Sequence, residues 1–146
     1  MDRICRRATL AFVAVSFVGF VDAAYLTVQH YFGTVVPCAL TGGCETVLTS
    51  PYAVVGGIPV ALTGALYYLA LFFGAILYLS NNNRNTACLL SWLTFTGLGV
   101  SLYLVYLQVF VIEAICLYCM ASAIFSASLF ILGRVILKRN VELPAG

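Results

Sequence analysis

Four stretches of this chain, Ala8 to Val28, Ile58 to Leu79, Ala87 to Leu107 and Ile115 to Leu137, run apolar almost without interruption. Each is close to the roughly 20 residues that an α-helix needs to cross a bilayer. Together they take up most of the 146 residues. Composition agrees, since 63% of residues are hydrophobic and only 8% are charged, against about 25% charged in ordinary soluble domains. The expected fold is an all-α membrane protein. It would be a four-helix transmembrane bundle, one domain over residues 1–146, with a long outer loop over 29–57 that carries a short amphipathic helix.

The seven basic residues orient the bundle. Arg3, Arg6 and Arg7 precede the first run, Arg84 sits in the polar link "SNNNRNT", and Arg134, Lys138 and Arg139 close the fourth run. No Lys or Arg occurs from Ala8 to Asn83 or from Asn85 to Gly133. Because Lys and Arg accumulate in cytoplasmic loops, both termini and the Asn-rich link are expected inside, and residues 29–57 and 108–114 outside. A competing reading makes the first run a cleaved signal peptide, given its basic start and the small residues Ala23 and Ala24. Against it, the apolar character continues through "AAYLTV", and Asp22 interrupts the end of the core. With no basic or acidic tail and no low-complexity run, nucleic acid is not an expected partner.

Local signals refine this picture. In "GGIPVAL" two glycines allow a tight turn, and Pro59 falls near the first helical turn, where its missing N–H costs nothing. The link "SNNNRNT" has Asn turn chemistry, with Thr86 as the expected cap of a third helix that forms an antiparallel hairpin with the second. Gly97 and Gly99, with Ser101 nearby, allow a neighbouring helix to come close, or simply pack as small residues do. In the outer segment "VLTSPYAVV" is apolar enough to lie on the membrane surface as a short amphipathic helix ending near Pro51. It would act as a lid, with Val47, Leu48, Tyr52, Val54 and Val55 facing the bilayer or the bundle mouth.

Topology sorts the six cysteines. Cys5 and Cys88 fall at inner helix ends in a reducing compartment and read as structural or incidental thiols. Cys38 and Cys44 lie in the lid segment "CALTGGC", and Cys116 and Cys119 form "CLYC" at the outer start of the fourth run. Three readings of this quartet compete: a zinc site, two structural disulfides, and a redox relay. A metal is not expected, since "CALTGGC" puts five residues between its ligands where structural zinc pairs usually have two to four. A Cys-x-x-Cys disulfide closes almost no loop, so it constrains the unfolded chain little. At a helix start, however, its sulfur meets unsatisfied N–H groups and the positive end of the dipole, which favours thiolate and makes the pair exchangeable.

Exchange also accounts for two pairs. A thiolate must attack a disulfide sulfur directly, so carrying electrons from a water-soluble protein to an acceptor in lipid takes one pair that reaches out and one that is embedded. The chain has no dinucleotide-binding glycine motif, no haem-type Cys-x-x-Cys-His and no cluster of His and carboxylate. A lipid-soluble quinone among the helices beside Cys119 is then the natural acceptor.

The two pairs in this order, together with "AYLTVQHY", "GGIPVALTGALYY" and Ser50 downstream of Cys44, resemble the vitamin K epoxide reductase family in its bacterial disulfide-forming branch. The resemblance covers almost the whole chain. It implies a four-helix bundle around a quinone, either ubiquinone or menaquinone, capped by the loop with the first pair. It also implies roles. Cys38 would exchange with the partner, Cys44 would pass electrons to Cys116, Cys119 would face the quinone, and Ser50 would hydrogen-bond near the redox centre. Ser50 also fits a plain helix-end turn residue before Pro51. Epoxide-reducing vertebrate members carry an Asn near the start of the second helix and a Tyr after the Cys-x-x-Cys, where this chain has Val60 and Ala123. Many bacterial members carry a fused thioredoxin-like domain. With this chain ending at Gly146, the expectation is a separate soluble, extracytoplasmic thioredoxin-like or DsbA-like partner, and residence in a bacterial inner membrane.

Protons need a route, and ionisable groups inside a membrane are candidates by default. Asp22 is the strongest candidate for a proton relay, whereas Glu45, Glu113 and His30 read as boundary residues. Tyr25, Tyr67, Tyr68, Tyr103, Tyr106 and Tyr118 fit an aromatic belt, with one or two available to a quinone oxygen. The rival functions are a small four-helix transporter with Asp22 as its coupling acid, and a membrane scaffold whose outer loop is merely stapled.

Overall fold

The structure, a computed structural model, describes residues 1–34 and 43–143. Along the chain these form α1 (Arg3–Phe32), α2 (Gly43–Leu48), a single 3-10 turn (Pro51–Ala53), β1 (Val54–Val55), β2 (Ile58–Pro59), α3 (Val60–Asn81), α4 (Arg84–Tyr106) and α5 (Leu117–Glu142). A π-helical turn over Leu107–Val111 prolongs α4. Among the described residues, four helices are long and apolar enough to cross a membrane. Lipid offers no hydrogen bonds to a backbone, and a helix satisfies its own.

Where the side chains point confirms the medium. At most 33% of any membrane-length window is buried against the rest of the protein, and for α4 the share is 17%. The outward faces are nonetheless built of residues such as Phe73, Trp92, Phe95, Leu102 and Ile131, all exposed. In water such faces would be an aggregation surface; against acyl chains they are solvated. This is an integral membrane protein with a four-helix bundle, as its apolar runs require.

The helices run past the apolar cores of their sequences, and their ends have local causes. Gly33 closes α1 in the left-handed conformation, φ 62, its N–H donating to Gln29 O. Asn82 closes α3 at φ 45, its N–H reaching Tyr78 O at 2.8 Å. Asn83 then opens α4 at once, its Oδ1 accepting from Asn85 N–H at 3.0 Å. The expected cap, Thr86, is therefore wrong: it sits inside the first turn because two consecutive asparagines complete the reversal before it.

Around the bundle α1 packs between α3 and α5, and α5 packs along α4, while α3 and α4, although neighbours in sequence, touch less than any of these pairs. Of the two glycines on α4, only Gly97 mediates a close approach: a Cβ there would collide with the Tyr67 hydroxyl, whereas at Gly99 it would meet nothing. Gly19 on α1 makes room in the same way for the Tyr68 ring. The core of this half contains Phe12, Leu71, Leu90, Leu129 and Ile136.

At the end holding both termini, Tyr78 Oη lies 3.4 Å from Cys5 Sγ and accepts from Asn140 Nδ2 at 3.1 Å. One buried hydroxyl thus ties α1, α3 and α5. Cys5 is buried there and Cys88 is exposed. Arg139 also lies 3.9 Å from Asp2. The opposite end of the bundle, the lid end, carries α2, the 3-10 turn and the β1–β2 hairpin.

The lid differs in detail from the expected helix over "VLTSPYAVV". Its helix is α2, which starts at Gly43 and ends at Leu48. Ser50, just before a proline and so disfavoured from helix, is extended at φ −68, ψ 156. The chain then makes a small hairpin, pairing Val54 with Pro59 and Val55 with Ile58, and turns on Gly56 and Gly57 at φ 60 and 84. Val54 and Val55 are strand residues, not a helix face.

Replacing Gly19 by Leu should drive its side chain into the Tyr68 ring and cost about 1–3 kcal/mol as overpacking. The same change at Gly99 should stay within about 0.5 kcal/mol, as at an open surface site. Thermal unfolding of the two variants in detergent measures the difference.

Candidate functional site

The site is assembled at the start of α5. Cys116 is its N-cap, extended at φ −91, ψ 118, and Cys119 stands one turn further on. Both are free thiols, Cys116 fully buried and Cys119 partly so. The Cys119 thiol donates a hydrogen bond to the Cys116 sulfur, and this is the main reason the Cys116 thiol is held below the ordinary thiol range. Burial opposes the shift, and the backbone N–H groups of Cys119 and Tyr118 assist it. These are the unsatisfied donors of a helix N-terminus, which favour negative charge.

The approach to Cys116 is irregular. After the π-turn of α4 the chain passes through Glu113 in the left-handed conformation, φ 55. Gln108, itself buried, holds both sides of this link: its backbone O accepts from Ala114 N–H at 3.1 Å and its Oε1 from Cys116 N–H at 3.0 Å. Sequence reasoning passed over Gln108 as part of a polar break. The available signal was a lone amide beside an apolar run, since a buried amide needs a partner.

The lid lies directly on this link. A Cβ at Gly43 would be 2.5 Å from Ile115 O and 2.9 Å from Ile115 N, so the backbone of α2 rests on the backbone entering α5. Cys44, disulfide-bonded, is fully buried and shares one apolar cluster with Cys116, Leu26 and Val47. Tyr25 and Tyr118 pack on that cluster, ring centroids 5.5 Å apart. Cys38 lies outside the described residues.

Beneath the lid is a cavity of about 270 Å³ whose wall is mainly apolar. All four long helices contribute to its wall. Cys119, Ser50, Asp22, Tyr67, Tyr68 and Gln108 all contribute to its wall, as do the apolar Val60 and Ala123. Most of its polar atoms are committed elsewhere. Tyr68 Oη lies 2.8 Å from Ser122 O, to which it donates, and 2.9 Å from Ser122 Oγ; Tyr67 Oη donates to Leu93 O at 3.2 Å. Ser50 Oγ donates to Val47 O at 2.7 Å. Asp22 is the exception: its Oδ2 is buried and has no hydrogen-bond partner among the described residues. Glu45 and Glu113 are exposed, as is His30 at the cavity rim.

This space suits a flat, largely apolar ring with a polar edge. Its volume lies just below the usual range of ligand pockets, about 300–1,000 Å³, and Asp22 Oδ2 offers a buried polar contact with no partner among the described residues, in the same wall as the Cys119 thiol. The residues present therefore fit a quinone head.

Four membrane helices holding a dithiol between a cysteine-bearing lid and an apolar cavity define a membrane-embedded dithiol protein. Residues 10–133 match the vitamin K epoxide reductase family, and the chain belongs to that family. It is 35% identical over 119 residues to the thiol-disulfide oxidoreductase LTO1 of Arabidopsis thaliana. That match covers 76% of this chain and 32% of the relative, so this chain spans about a third of the relative's length.

The orphaned carboxylate oxygen has a stability consequence. Replacing Asp22 by Leu removes a buried, unpartnered polar atom and lets the side chain occupy part of the cavity. The protein should become more stable by about 1 kcal/mol, visible as a higher midpoint in thermal unfolding in detergent.

Proposed function

We propose that this protein is a quinone-dependent thiol-disulfide oxidoreductase that reoxidises a soluble thioredoxin-like or DsbA-like partner and so supports disulfide formation. Electrons pass through Cys38 and Cys44 to Cys116 and Cys119 and then to a quinone, ubiquinone or menaquinone. The observation that carries this reading is the shared burial of a disulfide-bonded Cys44 with a free, low-pKa Cys116. Membership of the vitamin K epoxide reductase family supports it, and so does the likeness to a plant thiol-disulfide oxidoreductase. The distribution of basic residues supports an orientation with both termini in the cytoplasm and the lid on the outer face of a bacterial cell membrane.

Every exchange is a direct attack of thiolate on disulfide sulfur. A partner thiolate attacks Cys38 of the Cys38–Cys44 disulfide and frees the Cys44 thiolate. Cys44 attacks Cys116 of a Cys116–Cys119 disulfide, joining Cys44 to Cys116 and freeing Cys119. The partner's second thiol releases Cys38 and leaves the partner oxidised. Cys38 then attacks Cys44, restoring the lid disulfide and expelling Cys116 as thiolate. A low-pKa thiol leaves fastest, which is the use of the lowered Cys116. The net result is an oxidised partner and a reduced Cys116–Cys119 pair, the pattern of Cys44 bonded with Cys116 and Cys119 free.

A quinone bound in the cavity supplies the two-electron acceptor that returns the pair to a disulfide. Cys119 is in the cavity wall and would be the sulfur open to it. Asp22 holds and delivers a proton at Oδ2. Ser50, whose proton is committed to Val47 O, keeps oxygen lone pairs available as an acceptor. The unpartnered Asp22 also suits the rival reading, a small transporter in which the cysteines are staples.

Anaerobic mixing of the purified protein with a reduced thioredoxin-like protein and a quinone, followed by the appearance of hydroquinone, decides between them. Cys116→Ser and Cys119→Ser should abolish the reaction, whereas a transporter would keep its function. Cys119→Ser leaves Cys116 with no disulfide for Cys44 to attack, so a reduced partner should reduce the lid pair once and stop, read by peptide mass as two free lid thiols.

The pH profile has a definite shape. Reoxidation of the reduced pair needs a thiolate, and the Cys116 thiol is lowered. The rate at which quinone reoxidises the pre-reduced pair should therefore rise with pH and level off below the range of an ordinary thiol. An unperturbed thiol would keep gaining thiolate to about 8.5.

Gly43→Ala pushes α2 off Ile115 and separates the two pairs. A misplacement of about 1 Å costs on the order of a hundredfold. Single-turnover mixing should show transfer to Cys116 slowed by that factor, while the mixed disulfide between the partner and Cys38 still forms.

A further inference from the structure

The exchange scheme leaves unused the polar side chain that touches the dithiol's own backbone. Gln108 is 3% exposed and sits in the π-turn that ends α4. Its two carbonyl oxygens, backbone and side chain, take the N–H groups of Ala114 and Cys116. Between those two contacts the chain goes through the left-handed Glu113 and then turns into α5.

The Cys116 N–H has a particular difficulty. An N-cap residue's own N–H points away from the helix it starts, so α5 has no acceptor for it. Cys116 is fully buried, which removes water as a partner. Without Gln108 Oε1 this donor would be orphaned in an apolar cluster, or the link would move until it found a partner. Movement of the link would carry the Cys116 sulfur away from Cys44 and from the N–H groups at the start of α5.

We propose that Gln108 is the positioning residue of the Cys116–Cys119 pair, fixing Cys116 in its extended N-cap conformation so that its sulfur meets both the lid cysteine and the helix N–H groups. This rests on the pair being exchange-active. Gln108 contacts no reacting sulfur in the geometry described; it acts through the Cys116 backbone.

The test is a redox titration of the full-length protein in detergent, without quinone or partner. Dithiothreitol is oxidised to its cyclic disulfide as the Cys116–Cys119 disulfide is reduced to two thiols, and peptide mass mapping separates this pair from the lid pair. Gln108→Met keeps a similar volume and removes the acceptor. The reduced form then loses N–H support for its thiolate, so the equilibrium should shift about tenfold toward the disulfide, about 30 mV more reducing for a two-electron couple. A residue that only filled space would leave that equilibrium where it is, and an unchanged value overturns the proposal. If the wild-type pair itself cannot be titrated reversibly, the exchange reading fails first, and this inference with it.

Should Gln108→Met not fold, amide hydrogen exchange in the wild-type protein decides. The Cys116 N–H should be protected at least tenfold beyond the N–H of the exposed Glu113 beside it. Equal exchange at the two positions overturns the proposal.

Discussion

Everything at the lid end depends on one backbone laid on another, that of Gly43 against Ile115. Any side chain at position 43 would occupy the space of the Ile115 peptide. With only a hydrogen there, α2 settles onto the entry to α5, Cys44 is buried with Cys116, and Val47 and Leu48 close over the cavity. The contact carries little energy of its own. Its effect is geometric: thiol-disulfide exchange needs direct attack at sulfur, and a lid held off by a methyl group leaves the two pairs apart.

The second constraint is that lipid satisfies no polar group. Tyr78 answers it by joining Cys5 and Asn140, Tyr68 by its serine contacts on α5, Tyr67 by Leu93 O, and Gln108 by the Cys116 N–H. Each bond also ties two helices or a helix and a link, so the polar groups that lipid cannot serve become the joints of the bundle. Asp22 is left out of this accounting. It lies in the wall of the cavity, where a ligand with a polar edge would complete it.

How far the sequence discloses this differs by element. The four helices were legible because a bilayer imposes a length, and the apolar runs meet it. Their ends were less so: Thr86 looks like a cap, but Asn82 and Asn83 finish the turn earlier. The hairpin Val54–Pro59 was hidden because its strands are two residues long, too short for any periodicity, although Gly56 and Gly57 advertised a turn. The dithiol was legible from spacing and position. Gln108 was not, because its importance lies in which N–H it meets, and that is settled by a π-turn and a left-handed Glu113 that no local pattern announces. Gly43 gives no signal in "CALTGGC" either, because what matters is that it has no Cβ where the Ile115 peptide passes.

The two residues inside "CLYC" separate two environments. Cys116 sits with Cys44 in a closed apolar cluster, while Cys119 reaches the cavity wall. One helical turn is enough to put the sulfurs on either side of this division and still let one donate to the other. That hydrogen bond ties their fates: the proton held on Cys119 is what favours thiolate at Cys116. On the cavity side, Cys119 shares its wall with Asp22, whose Oδ2 has no partner among the described residues. The asymmetry of the dithiol is thus one of surroundings: one sulfur is closed in with the lid cysteine, and the other shares a cavity wall with a buried carboxyl group.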